Sequence, residues 1–443
     1  MRLSVDLHSH SGHAGGVGAI RLEDIAKAMQ RKGIDVFGTG DCLHAEWRNH
    51  LREVLSEEEP GLFSLSICRG KACLAPTVRF ALQTEIIVTA AVPGRKGRNS
   101  VHLVILFPSF ASAEEAFQKL EAWGVKLGLG RPFLKCKDPG EVGDRLESIL
   151  DIDENVEAVP AHVMTPQGIY GCLPHLDSME EFFGRATARL HAVETGLSAD
   201  PILLGMIPEL DRFTLVSNSD CHSGASHRLG REFTTLEVSE KSFAGIIRAI
   251  RNRAVVRTAE FNPAEGRYFL TGHRGDKKGH DGVACCFSPD FTPGDRKCPI
   301  CGKKLTVGVL ERTLELSRVQ GGGRKLETLS AAQGYIHTVP LSEICAYNLG
   351  VSNPASKKAM AQYELILDAF GAEIKFWEQS AGEVEKTLAD VLPEEHLENI
   401  LEVKRGNFTF EPLGFDGSYG KLVIGRTSDW FSTNCPSGLT AAL

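Results

Sequence analysis

No stretch of about 18 or more consecutive apolar residues occurs in this 443-residue chain, so no transmembrane helix is expected. The opening residues, Met1-Arg2-Leu3-Ser4-Val5-Asp6, lack the apolar run of a secretory signal. No internal repeat is found. An excess of basic residues is also missing: 49 Lys and Arg stand against 57 Asp and Glu, a net charge of −8, and the sequence pI is about 6.0. That balance argues against a surface coated in positive charge, but not against local basic patches. The 12 cysteines are scattered among histidines, so free thiols and a metal site are expected and a disulfide framework is not. A cytoplasmic protein is the expectation. With 42% hydrophobic residues the chain can bury a large core, and its length suggests two or three domains.

What the chain does have is a series of histidines and acids at the ends of separate apolar runs. They are Asp6-Leu7-His8-Ser9-His10, Asp41 after Gly38-Thr39-Gly40, Glu85 after Gln83-Thr84, His102 after Val101, His162 after Pro160-Ala161, and Asn218-Ser219-Asp220-Cys221-His222. Imidazole and carboxylate are ligands that divalent zinc, manganese and iron accept. On an extended segment His8 and His10 point to the same side, because side chains alternate along a strand. Two imidazole-rich tips with single ligands between them suggest a metal cluster built from many strands.

Residues 1–262 read as alternating strands and helices. Apolar strands are expected at residues 3–8, 35–37, 78–89, 101–107, 156–162, 190–195 and 213–217. Leu22, Ile25, Ala26 and Met29 fall on one helical face, and residues 111–123 and 243–251 read as further helices. Repeated strand–helix units imply a parallel sheet, and ligands at many strand ends imply a barrel whose site lies at the C-terminal ends of the strands. His102 opens its apolar run, so that rule does not place it. Residues 263–325 change character: 12 Lys or Arg against 7 Asp or Glu, with a Cys298-Pro299-Ile300-Cys301-Gly302 knuckle. The partner half of the knuckle is less clean, with Cys285 and Cys286 adjacent and His280 just upstream. Gly321-Gly322-Gly323 marks a joint. Residues 326–425 form a mainly helical third region, and residues 426–443 read as a loose tail.

As a pattern, Asp6-Leu7-His8-Ser9-His10 and Ser219-Asp220-Cys221-His222 resemble the first and last signatures of the polymerase and histidinol phosphatase (PHP) superfamily. The resemblance is closer to one branch, the endonuclease Q family. Asp41 followed by His44-Ala45-Glu46-Trp47 looks like that branch, as do Gly130-Arg131-Pro132, His162 with Thr165-Pro166, and Glu194-Thr195-Gly196-Leu197-Ser198 with Asp200-Pro201. Cys298 to Gly302 with Gly308-Val309, and the GFDGSYGK turn at residues 414–421, extend the match to roughly residues 1–425. The resemblance implies a distorted (β/α)7 barrel, a zinc-finger module, and a helical C-terminal domain. It also implies an endonuclease that cuts DNA 5′ to deaminated bases (uracil, hypoxanthine, xanthine) and abasic sites. Three features depart from the branch: a short segment with little aromatic character after His162, adjacent cysteines where a first knuckle would stand, and Gly15-Gly16 where many superfamily members place a ligand.

The expected ligand set is His8, His10, Asp41, Glu85, His102, His162, Asp220 and His222, enough for two or three ions that share carboxylates. Asp220 and His222 are expected to be catalytic together with Arg131, whose planar fork suits phosphate. Glu194 is a further ligand, an acceptor that fixes a histidine tautomer, or a plain carboxylate at the core's edge. His13 and His44 are weaker ligand candidates, and Tyr170 either lines a pocket for a damaged base or belongs to the core. Zinc is expected in the barrel and in the module, with manganese or magnesium as the activating barrel ion. Cys285, Cys286, Cys298 and Cys301, with His280 as a further candidate, are the expected structural zinc ligands. Lys277, Lys278, Arg296, Lys297, Lys303 and Lys304 are expected to join Arg131 in contacting DNA phosphates. Damaged DNA is the expected partner, alongside replication or repair proteins. Two rival readings are a phosphoesterase of the same barrel acting on a small phosphate monoester and a non-catalytic DNA-binding protein. The module and C-terminal region favour a polymer substrate, and the full ligand set favours catalysis.

Overall fold

The computed structural model describes the chain except for residues 16–17, 19, 67–77, 322, 327–328, 330, 332, 432–433 and 438–443. Gly16 and Gly322, singled out above, therefore lie outside the described residues. Among the cysteines whose side chains are described no disulfide forms, and among the described residues no helix is long and apolar enough to cross a membrane. The chain divides into two compact units. The first comprises Met1–Gly196, Arg212–Glu260 and Gln333–Gln379, and the second Leu197–Asp211, Phe261–Ala332 and Ser380–Leu443. Both are discontinuous in sequence, and residues 326–425, read above as one region, contribute to both.

The first unit is a mixed α/β structure. Its larger sheet has eleven strands, with Arg2–Asp6 at the centre between Val36–Gly38 and Phe233–Glu237. Arg79–Ala90 pairs parallel with Val36–Gly38 and antiparallel with Asn99–Phe107, which in turn pairs antiparallel with Glu157–Pro160. A separate parallel pair is formed by Ala192–Glu194 and Thr214–Val216. Val5, Val104, Val159, Ala192, Val216 and Leu236 come from both sheets and join one apolar cluster, packed under Phe243, Ile246, Ile247 and Ile250 of the helix Phe243–Arg251. The two sheets thus curl round a common core.

The wholly parallel sheet expected from the alternation of elements is not what forms. Asn99–Phe107 runs back along Arg79–Ala90 in an unbroken register from Ala90↔Asn99 to Leu82↔Phe107. Only residues 91–98 join the two strands, too few for the crossover a parallel pair requires. The reversal brings the start of Asn99–Phe107 to the end of the sheet where neighbouring strands finish. Helices form where capping and periodicity agree. In Leu22–Lys32 the buried residues include Leu22, Ile25, Ala26 and Met29, as their spacing predicts. Pro139–Leu150 was not expected from periodicity. It starts at Asp138, whose side chain accepts from the Glu141 N–H, with Pro139 at the first position.

In the second unit Thr271–His273 and Ala284–Phe287 form an antiparallel hairpin, and Asn434–Ser437 adds a third antiparallel strand. That strand falls in the segment expected to be a loose tail. Helices Val309–Val319, Ala381–Leu388 and Glu394–Lys404, and the ribbon Phe408–Phe410 with Leu422–Ile424, complete the unit.

One buried ion pair ties helices of the first unit together. The Lys32 ammonium lies 2.7 Å from Glu373 Oε2, with side chains 3% and 6% exposed. The Tyr363 hydroxyl and the Leu341 N–H donate to the same carboxylate, at 2.9 and 3.1 Å. Removing one member leaves the other charge buried and unpaired. Lys32→Met is therefore expected to cost about 3–5 kcal/mol in chemical denaturation, and Lys32→Met with Glu373→Leu to regain part of it. A double-mutant coupling below about 0.5 kcal/mol would show that the pair does not hold these helices.

Candidate metal centre

Five strand ends of the first unit converge on one group of side chains. Ser9 and Cys221 form an isolated parallel bridge, and the His10 N–H donates to the Cys221 carbonyl at 3.1 Å, joining the first and last motifs. Asp41, His162 and Asp220 have positive φ values of 44°, 29° and 43°. Left-handed backbone at non-glycine residues is costly and concentrates at functional sites. Close packing holds these residues in place. At Gly196, where φ is 70°, an added Cβ would come within 2.5 Å of His162 Cβ, and at Gly130 one would lie 2.8 Å from Asp41 Cγ.

Glu85, in the middle of Arg79–Ala90, is the hub. Its Oε1 lies 2.6 Å from His102 Nδ1, 3.3 Å from His162 Nε2 and 3.6 Å from His8 Nε2, and its Oε2 is 3.5 Å from His10 Nε2. Asp220 Oδ1 is 3.2 Å from His10 Nε2 and 3.5 Å from His8 Nε2. Three triads bring ligand atoms within 4.8 Å of one another: His8, His10 and Glu85; Glu85, His102 and His162; and His10, Asp220 and His222. His10 and Glu85 each belong to two of them. His102 reaches the group because its strand is antiparallel.

Outer residues set the tautomers. His8 Nδ1 donates to Glu194 at 2.9 Å, and Glu194 also accepts from the His162 N–H and from Asn218 Nδ2. Glu194 therefore stands as the acceptor that turns His8 Nε2 inward. Asp41, expected as a ligand, is placed similarly. Its Oδ1 is 3.2 Å from His10 Nδ1, and its Oδ2 accepts from both the N–H and the hydroxyl of Ser11. The sequence reading assigned no role to Asp6, whose buried carboxylate accepts from the Ser219 N–H at 3.0 Å. Arg131 Nη1 lies at the edge, 4.0 Å from Glu85 Oε2. His13 and His44 stack at 4.2 Å and bring ligand atoms within 4.8 Å of Glu46. Tyr170 is fully buried, which makes it a core residue.

The donor set fits divalent cations. His8 Nε2, His10 Nε2, Glu85 Oε2 and Asp220 Oδ1 are buried, converge, and have no partner of hydrogen-bonding geometry. Such groups cost about 1–3 kcal/mol each when left unsatisfied, and cations at the triads would satisfy all four. The titration behaviour agrees. Burial works to lower the His8 pKa, but Glu194, Asp220 and Glu85 overcome it and raise it to about 10. His10 is raised against the same burial to about 9 by Asp220, Asp41 and Glu85. Burial pushes Glu85 up, yet His102, His162 and His10 hold it well below the usual carboxylate range. Asp6 lacks enough partners, and burial raises it to about 7.

A second cluster lies in the other unit. His273, His280, Cys298 and Cys301 bring ligand atoms within 4.8 Å of one another. His280 Nδ1 donates to the Val283 carbonyl at 2.8 Å, which frees Nε2, 3.3 Å from Cys298 Sγ. Cys285 stands opposite His273 in the hairpin, and its Sγ is 3.6 Å from Cys298 Sγ. Burial raises the Cys285 thiol to about 12. Burial opposes ionisation of Cys298 too, but the N–H groups of Cys301 and Ile300 hold its pKa below the usual thiol value. Cys286, named with Cys285 as a ligand candidate, alternates to the opposite face of the strand and is not among the gathered atoms. His273, which the sequence reading missed, occupies the place expected of a cysteine. A second histidine seven residues before His280 was the available signal.

No family model matches the chain. It is 26% identical over 439 residues to the uncharacterized protein YqxK of Bacillus subtilis, covering 95% of this chain and 99% of that one. It is 32% identical over 236 residues to the uncharacterized protein MJ0043 of Methanocaldococcus jannaschii, covering 52% of this chain but only 28% of that protein. Among solved structures, the lesion-specific endonuclease PfuEndoQ of Pyrococcus furiosus matches with a TM-score of 0.76 at 25% identity, over 98% of this chain and 97% of that one. An endonuclease Q in complex with a 27-mer duplex with an abasic lesion at the active site matches with a TM-score of 0.76 at 26% identity, over 98% of each chain. Over nearly its whole length the chain thus resembles solved endonuclease Q structures.

The cations read as phosphate contacts fall into two groups. Lys277 lies 2.6 Å from Asp416 Oδ1 and Arg296 2.8 Å from Glu311 Oε1, so both are held in internal ion pairs. Lys278, Lys297, Lys303 and Lys304 are exposed, Lys297 within 3.6 Å of Asp295.

Cations must displace protons from the first unit's site. Free of metal, His8 and His10 hold protons at neutral pH because their pKa values are raised, and ligation needs neutral imidazole. Divalent-ion affinity is therefore expected to rise with pH from 6 to 9, with proton release on binding. Calorimetry in buffers of different ionisation enthalpy checks both. Affinity independent of pH over that range would rule out His8 and His10 as ligands.

Proposed function

We propose that this chain is a metal-dependent DNA endonuclease of DNA repair that hydrolyses the phosphodiester 5′ to deaminated bases or abasic sites. The observation that carries the reading is the set of three triads sharing Glu85 and His10, with four buried donor atoms that lack partners. Support comes from the likeness to a lesion-specific endonuclease and to an endonuclease Q bound to duplex DNA with an abasic lesion at its active site. Zinc suits the imidazole-rich positions, and manganese or magnesium suits an activating role. Ions bound there neutralise the phosphate, acidify water and stabilise the leaving alkoxide.

The protein's own groups orient these parts. Glu194 and Asp41 fix the inward tautomers of His8 and His10. His222 donates its Nδ1 proton to the Asp220 carbonyl at 2.9 Å, which keeps its Nε2 free. Arg131, partly exposed at the edge of the group, is positioned to hold a non-bridging phosphate oxygen. In the second unit, His273, His280, Cys298 and Cys301 are read as holding a structural zinc, with Cys285, whose Sγ is 3.6 Å from that of Cys298, as a further candidate ligand. Lys278, Lys297, Lys303 and Lys304 supply phosphate contacts in this reading.

Two outcomes test the proposal. End-labelled duplexes carrying uracil, hypoxanthine or an abasic site should be cut 5′ to the lesion in the presence of manganese or magnesium, leaving a 3′-hydroxyl. Asp220→Ala should lose activity by orders of magnitude while circular dichroism stays unchanged. Equal cutting of undamaged duplex would make the protein a general nuclease. Fast phosphate release from a small monoester with no cutting of DNA would favour a phosphoesterase.

Metal analysis tests the second cluster. Cys298→Ser with Cys301→Ser, and separately His273→Ala, should release one equivalent of zinc, whereas Cys286→Ser should retain it. Zinc lost from Cys286→Ser and kept by His273→Ala would reverse the ligand assignment.

A further inference from the structure

Large apolar side chains exposed singly on a surface need no explanation. Two leucines of the first unit do need one, because of where they sit. Leu129 is 57% exposed and Leu173 is 71% exposed. Each belongs to a loop that carries or supports the metal centre.

Leu129 precedes Gly130, whose N–H donates to the His13 carbonyl at 2.9 Å and whose backbone packs against Asp41. The next residue, Arg131, reaches to within 4.0 Å of Glu85. The backbone at Leu129 is thus one residue from the centre, while its side chain stands in solvent.

Leu173 belongs to the loop that follows His162. The loop is pinned on several sides: Val163 N–H donates to the Glu194 carbonyl, Tyr170 N–H to the Val163 carbonyl, and Asn99 Nδ2 to the Pro174 carbonyl at 2.6 Å. The His102 N–H donates to the Gln167 carbonyl at 2.9 Å, which ties the same loop to a ligand strand. Within it Val163, Met164, Ile169, Tyr170 and Cys172 are buried. A loop that buries its other apolar side chains and is fastened on both flanks holds Leu173 outward.

We infer that Leu129 and Leu173 are wedges, which enter the base stack of a duplex and fill the space left when a nucleotide is drawn toward the metal centre. The inference rests on the endonuclease reading and adds the residues that open the duplex. His8, His10 and Glu85 are buried, so a phosphodiester next to a stacked base pair reaches them only if the duplex is distorted. Taking a nucleotide out of the stack is costly. Apolar side chains inserted at a base step, as in proteins that kink DNA, offset part of that cost. Leu129 and Leu173 have the properties this demands: apolar, exposed, and carried on loops whose backbone is hydrogen-bonded to residues that bear the centre.

The discriminating measurement compares one lesion in duplex and in single-stranded DNA, because a wedge matters only where a stack must be opened. Leu129→Ala with Leu173→Ala is expected to lower kcat/KM on the duplex about tenfold or more, while single-strand cutting stays within about twofold. The fluorescence rise of 2-aminopurine placed opposite the lesion should shrink in parallel, and Leu173→Met with Leu129 intact should restore both. Equal losses on duplex and single strand, or no loss on either, overturn the wedge while leaving the endonuclease reading intact. Wild-type protein that cuts neither form refutes the endonuclease reading and the wedge with it.

Discussion

A buried carboxylate surrounded by imidazoles is the constraint on which the first unit depends. Glu85 sits in mid-strand with almost no exposure, where an ionised carboxylate is costly unless paired. Its neighbours are His8, His10, His102 and His162, which compensate it only when they carry protons or share cations with it. Protons are an incomplete solution, because His102 and His222 are lowered by burial and Glu85 Oε2 keeps no hydrogen-bond partner. Cations at the three triads satisfy every group at once. The outer shell follows from this need: Glu194, Asp41 and the Asp220 carbonyl each take the far nitrogen of one histidine and so direct its other nitrogen inward.

Gathering so many ligands from separate strands has a topological requirement. A purely parallel barrel brings ligands from the ends of successive strands. Here one of the strands that carry candidate ligands, Asn99–Phe107, is reversed, so its beginning arrives at the site and His102 sits among residues that follow other strands. The backbone bears the remaining strain, with left-handed residues at Asp41, His162 and Asp220. These conformations persist because the neighbouring chain leaves no alternative. Gly130 and Gly196 allow backbone to approach Asp41 and His162 at distances a side chain would forbid.

How much of this was legible in the sequence varies with the kind of interaction. The alternation in Asp6-Leu7-His8-Ser9-His10 predicts both rings on one side, and their centroids lie 5.4 Å apart. Helix Phe243–Arg251 has the bounds that its sequence predicts. The reversal at residues 91–98 was not legible, because a strand's direction depends on its connection and not on its composition. The outer role of Glu194 was ambiguous, and Asp41 was read as a ligand, for a related reason: ligand and acceptor need the same carboxylate, and only the position of the second imidazole nitrogen separates them. His273 escaped notice because hairpin register, which sets it opposite Cys285, is a tertiary fact. Cys286 was named through simple adjacency, and strand alternation turns it away.

If the proposed endonuclease activity holds, the same logic bears on how damage is selected. Among the described residues the groups that converge on the centre are candidate metal ligands, their acceptors, the Asn218 amide engaged by Leu7 and Glu194, and one arginine, and none offers a base edge an uncommitted pair of donor and acceptor. Selectivity on this reading comes from the energy of deforming the duplex, which is lower where a base is mispaired or missing. That places the burden on parts of the protein that hold rigid shapes. The loop after His162 meets that demand, fastened through Val163, Gln167, Tyr170 and Pro174 to strands that themselves carry ligands. Mobility in such a loop would waste the binding energy needed to distort DNA, since the loop would yield before the duplex did. The hydrogen bonds that hold the ligands and those that stiffen the loop run through the same residues. Glu194 and His102 take part in both, since the Glu194 carbonyl anchors Val163 while its carboxylate holds His8, and the His102 N–H anchors Gln167 while its ring faces Glu85.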